Sequence, residues 1–120
     1  MEPRGLEDFH RHDEVAAAAL AANNYALSLK HLQRFEEAKA LLLKTMPVAR
    51  RVLGESHDLT LRMRATYARA LYDDPNATLD NLREAVSTLE DTERTARRVL
   101  GGAHPTTTAI EGSMQAARAI

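Results

Sequence analysis

The sequence predicts an all-α protein in which antiparallel helix-turn-helix pairs stack side by side as an α-α superhelix of about five helices. Three observations predict it. First, Arg50-Arg51-Val52-Leu53-Gly54, with His57 after it, returns as Arg97-Arg98-Val99-Leu100-Gly101 with His104 after it, and a long internal period marks a repeat architecture. Second, apolar residues recur at three- and four-residue steps, the period of a helix buried on one side. Third, the chain is 44% hydrophobic but only 4% aromatic, with no tryptophan. A core of Ala, Leu and Val suits closely packed helices better than sheets.

Each element follows in order. Residues 1–12 hold Pro3, Gly5 and mixed charges and are expected to form a flexible leader. The helical domain, 13–120, is expected to start at Asp13 and Glu14, acids that favour a helix N-terminus. Ala18, Ala21, Ala22, Tyr25, Ala26 and Leu29 form the first stripe, and His31 to Arg34 a tight connection. The second helix carries Phe35, Ala38, Leu41, Leu42, Thr45, Val48, Ala49, Val52 and Leu53. Pro47 inside it removes a backbone donor and should bend it. Gly54 stops it in the left-handed conformation. Pro105 reads as the first residue of a helix, which makes His104 its N-cap and, by alignment, His57 the cap of the third helix. That third helix shows Met63, Tyr67, Ala68 and Leu71, with Tyr67-Ala68 lying 42 residues after Tyr25-Ala26. Asp74 is expected to cap the fourth helix, with Pro75 in its first position. Leu79, Leu82, Ala85, Val86, Leu89, Ala96, Val99 and Leu100 form the fourth stripe. Leu82-Arg83-Glu84-Ala85 matches Phe35-Glu36-Glu37-Ala38 at an offset of 47 rather than 42. The five-residue difference is read as extra turns at the start of the fourth helix. Repeat 1 thus spans about 13–54, repeat 2 about 57–101, and the first helix of repeat 3 about 104–120. The pattern reaches Ile120 in mid-stripe, as a piece of a longer array would.

Composition narrows the function. Sixteen basic against seventeen acidic residues give a net charge of −1, so no bulk field attracts nucleic acid or an anionic membrane. The absence of cysteine excludes disulfides and thiolate metal sites. No apolar run is long enough to span a bilayer, and the N-terminal residues carry no secretory pattern, so a cytoplasmic location is expected.

The run Asn23-Asn24-Tyr25-Ala26, Phe35-Glu36-Glu37-Ala38, Arg51-Val52-Leu53-Gly54 and His57 resembles the tetratricopeptide repeat of kinesin light chain type. The likeness covers roughly residues 19–120. It implies small residues at helix contacts, on Ala26, Ala38, Ala68 and Ala85, and a solenoid whose first helices line a concave face. Thr45 and Thr92 replace alanine, and Arg62 and Arg64 add charge to the third helix. No heptad segment of the kind that joins a kinesin light chain to its heavy chain is present.

The resemblance implies that the concave face holds a peptide or partner domain. Its candidate residues are Asn23, Asn24, Leu27, Lys30 and His31 from the first repeat, Arg62, Thr66, Arg69 and Tyr72 from the second, and Ser113 from the third. Asn24 fits best, because a side-chain amide both donates to and accepts from a peptide backbone. Lys30, Arg62 and Arg69 would favour an acidic partner. The competing reading of each is a solvated surface group.

Other constellations are weaker. His10 and Glu14 could share a helix face, but His12 points elsewhere, so no metal is expected. His57 and His104 recur in register, which suits turn construction; catalysis would need different residues converging on one pocket. Asn76-Ala77-Thr78 reads as an incidental glycosylation sequon. No phosphate loop, nucleophile elbow or paired carboxylates suggest an enzyme or a cofactor. Arg50-Arg51 and Arg97-Arg98 complement helix dipoles, without the aromatic interleaving of a nucleic-acid surface. Two classes remain: a protein-binding module without catalysis, or a structural element that self-associates through its terminal helices or packs within a larger repeat protein.

Overall fold

The structure is a computed structural model that describes the backbone of residues 4–120 and the side chains of residues 11–120. Five helices follow one another: α1 (Arg4–His31), α2 (Phe35–Val52), α3 (Asp58–Asp73), α4 (Leu79–Val99) and α5 (Pro105–Arg118). No strand occurs among the described residues. The fold is an all-α helical repeat, as expected.

The helix ends explain the spacing. α2 and α4 both finish before a glycine in the left-handed region, Gly54 at φ 100° and Gly101 at φ 91°, where a Cβ would be strained. His57 and His104 then cap α3 and α5. The Nδ1 of His57 accepts from the Leu59 N–H, and the Nδ1 of His104 from the Thr106 N–H, both at 3.1 Å.

Three local expectations are corrected. α1 begins at Arg4 rather than Asp13, because no proline or glycine interrupts the chain between Leu6 and the end of that helix at His31. Asp74 does not cap α4. Its carboxylate accepts from the Asn76 N–H at 2.9 Å, making a local turn of the kind aspartate favours. The cap is Thr78, in a reciprocal box with Asn81: the Asn81 N–H donates to the Thr78 hydroxyl (3.1 Å) and the Thr78 N–H to Oδ1 of Asn81 (3.0 Å). The inserted residues therefore divide. The α1–α2 loop is 32–34 and the α3–α4 loop 74–78, a gain of two, while α4 starts three residues earlier than its alignment with Phe35 requires. The sequon threonine is thus a helix cap. α2 runs through Pro47 without a break in its helical span.

Packing builds two adjoining cores. One joins α1 and α2 to α3 through Ala19, Ala26, Leu29, Ala38, Leu42, Met46, Ala49, Met63 and Ala70. The other joins α3 to α4 and α5 through Leu61, Ala65, Ala68, Leu71, Ala85, Leu89, Ala96, Ile110 and Met114. α3 contributes to both. It packs against the other four helices, whereas no contact joins α2 to α4 or α1 to α5 among the described residues. Charged groups tie the flanks: Arg64 of α3 donates to Asp91 of α4 at 2.7 Å, and this bond holds the Asp91 carboxyl below its ordinary range. The Tyr67 hydroxyl donates to Glu84 at 3.1 Å; burial first, then Glu84, pushes that phenol up to about 12.

The face of α5 turned away from α3 differs from its counterparts. Where α1 places Ala19, Ala22, Ala26 and Leu29, and α3 places Leu61, Arg64, Ala68 and Leu71, α5 places Thr108, Glu111, Gln115 and Arg118. Glu111 accepts from Arg97, and Arg118 donates to Glu90 at 3.2 Å.

Gly54→Ala and Gly101→Ala should each lose about 1–2 kcal/mol in denaturant unfolding through backbone strain alone, since nothing lies within 4 Å of either added Cβ. Thr78→Ala should lose about 1 kcal/mol. Unchanged midpoints would contradict these end assignments.

Candidate functional site

α1 and α5 flank α3 without touching each other, so one surface of α3 lies at the bottom of a trough. The trough is a cleft of about 400 Å³ lined by Asn23 and Leu27 of α1, by Asp58, Arg62, Ala65, Thr66 and Arg69 of α3, and by His104, Pro105, Thr106, Ala109 and Ile110. Helical period explains the choice: Arg62, Thr66 and Arg69 lie three and four residues apart and share one side of α3.

Five of the ten expected residues line it: Asn23, Leu27, Arg62, Thr66 and Arg69. Asn23 is 2% exposed, and its Oδ1 is buried without a hydrogen-bond partner. An unpaired buried acceptor costs about 1–3 kcal/mol, so it stands out among the trough residues. Arg62 has no ion-pair partner among the described residues and is half-buried. Thr66 returns its hydroxyl to the Arg62 carbonyl at 3.0 Å. Arg69 is positioned by Ser113, its Nε donating to Oγ at 2.7 Å.

The other five do not line the cleft. Asn24 is exposed outside it, because one residue along a helix turns a side chain by about 100°. Lys30 donates to Asp73 at 2.9 Å, which ties α1 to α3 and neutralises the cation. His31 is exposed at the end of α1. Tyr72 packs against the second core, and burial raises its phenol while Ser113 and Arg69 oppose that rise. Ser113 is buried and acts through Arg69, returning its own proton to the Ala109 carbonyl at 3.1 Å.

Sequence reasoning missed the upper rim. Asp58 and His104 read as helix-start residues, and they are, yet both also line the trough. The Thr106 hydroxyl donates to Asp58 at 2.5 Å, fastening the starts of α3 and α5 together. The signal available was the repeated turn: it starts α3 and α5 side by side, so first-turn residues of both helices stand at the edge of the groove between them.

The floor on α3 carries Asp58, Arg62, Thr66 and Arg69, and the walls add apolar surface from Leu27, Pro105, Ala109 and Ile110. Among the described residues no group of three or more His, Cys, Asp or Glu could hold a metal ion; His10 lies outside the described side chains. No described helix is long and apolar enough to cross a membrane. The basic clusters carry acids of their own, Arg50 near Glu55 at 3.6 Å and Arg97 on Glu93 at 2.8 Å.

Residues 17–74 match the tetratricopeptide repeat family. The match supports a tetratricopeptide repeat protein, and the five-helix all-α fold agrees with it. No curated protein and no solved structure matches the chain. Such repeats are in general protein–protein interaction modules rather than catalysts.

Asn23→Leu, close in volume but without the unpaired oxygen, should raise unfolding stability by about 1 kcal/mol. A fall of that size would show that the carboxamide already has a partner inside the protein.

Proposed function

We propose that the trough over α3 binds an extended peptide or a partner segment, and that the protein is an interaction module of the kinesin light chain type without catalysis of its own. The observation that carries this reading is Asn23. A carboxamide that lines the trough, lies almost wholly buried and leaves its acceptor unpaired is poorly suited to stability, and by turning it could pair with a peptide's backbone groups. Arg62 supplies a positive charge beside it, and Arg69 a second whose fork Ser113 has already oriented. Together they favour a partner carrying a carboxylate. Leu27, Ala65 and Ile110 supply apolar surface between these polar groups.

A second reading is assembly between copies. Leu79 and Ile120 are 61% and 66% exposed beside an apolar cleft that also holds Leu82, Val86 and Ala117. Against it stand the polar positions of α5 described above, which offer no stripe to a stacked helix.

Selection of a displayed random-peptide library on the intact chain separates the two. The trough reading predicts captured peptides with acidic residues, and Asn23→Ala, Arg62→Ala and Arg69→Ala together should weaken them at least tenfold, about 1.4 kcal/mol. Substituting Lys30 should matter little. Peptides that ignore the triple variant, or no capture from a chain that sediments as a dimer, would favour assembly instead.

A further inference from the structure

Both caps on the α3 and α5 N-termini are histidines, and both use the same atom. Nδ1 accepts the Leu59 N–H in one and the Thr106 N–H in the other, each at 3.1 Å, with φ, ψ of −67°, 140° and −65°, 139°. Among capping residues this choice has a consequence that Ser, Thr, Asn or Asp lacks near neutral pH. The acceptor is a basic nitrogen whose lone pair exists only in the neutral ring. Protonation replaces the acceptor with a donor facing another donor. It also places a positive charge at the positive end of a helix dipole.

Charged and titratable groups surround both rings. His57 has Asp58 next to it in the chain, Glu55 two residues before it in a 3.6 Å ion pair with Arg50, and His12 of α1 with its ring centre 5.8 Å away. Arg11 and Arg51 line the same cleft as His12. His104 shares the trough with Asp58, Arg62 and Arg69 of α3, and Arg97 of α4, paired with Glu93 and Glu111, lies beside Gly102 two residues before it. Asp58 is the acid nearest in sequence to His57 and the trough's one carboxylate, and one of its oxygens already accepts from Thr106.

We propose that His57 and His104 are a matched pair of proton-sensitive latches, released together by mild acid. Release loosens the first turns of α3 and α5. It also loosens the trough's upper rim, because Thr106 carries both the amide that His104 holds and the hydroxyl that Asp58 accepts. The latch is a property of the fold and does not depend on what the trough binds.

Amide and imidazole resonances of the full-length ¹⁵N-labelled chain, followed from pH 8 to pH 5, test this. The Leu59 and Thr106 amide protons should move upfield with the midpoints of His57 and His104, and their exchange protection should fall about fivefold. His57→Asn and His104→Asn, whose side chains cap without titrating, should each keep their own amide in place across the range. Amides that stay fixed while the imidazoles titrate would overturn the proposal, as would asparagine variants whose amides move like the parent's. If a variant fails to fold, the wild-type comparison of amide with imidazole still decides.

Discussion

Four alanines set the geometry on which everything else depends. Ala26, Ala38, Ala68 and Ala85 are each completely buried, in the cores that join the two helices of each repeat. Larger side chains at these fully buried positions would force the helices apart. Close pairing brings α3 against α1 and α2 on one side and against α4 and α5 on the other. The trough is the by-product. It exists because α1 and α5 are held one helix-width apart by α3.

Much of this was legible in the sequence because repeats annotate one another. The Arg-Arg-Val-Leu-Gly…His signature located two helix ends, two left-handed glycines and two histidine caps, and the structure has them all. Register was harder where only one copy exists. The loop 74–78 has no counterpart of equal length, and aspartate followed by proline suits either a cap or a turn; Thr78 won because Asn81 could complete its capping box. Lys30 illustrates the other limit. Its partner Asp73 lies 43 residues away, and nothing in the local pattern of α1 reveals that the cation is already used.

The asparagines show why site residues are harder to read than folds. Asn23 and Asn24 are adjacent, identical and equally suited to a peptide backbone, yet one is buried at the trough and the other lies exposed. A step of about 100° around α1 separates them, and which of the two faces α3 depends on how α1 is rotated against it, which local sequence does not specify. Tyr25 and Tyr67 differ for a related reason. They occupy equivalent positions, but Tyr67 is enclosed between both cores and bonded to Glu84, while Tyr25 is 59% exposed. Equal residues in a repeat have equal roles only where the neighbours repeat as well. His104, which both caps a helix and edges the trough, shows that construction and surface chemistry can share one side chain.

The central claim is that the surface over α3 is where a partner sits. Backbone amide mapping of the intact chain, titrated with a peptide selected on it, tests that most directly. The account predicts perturbations concentrated at Asn23, Arg62, Thr66, Arg69 and Thr106, with the exposed residues of α2 and α4 unmoved. Perturbations centred on Leu43, Val48 or Leu79 instead would contradict it.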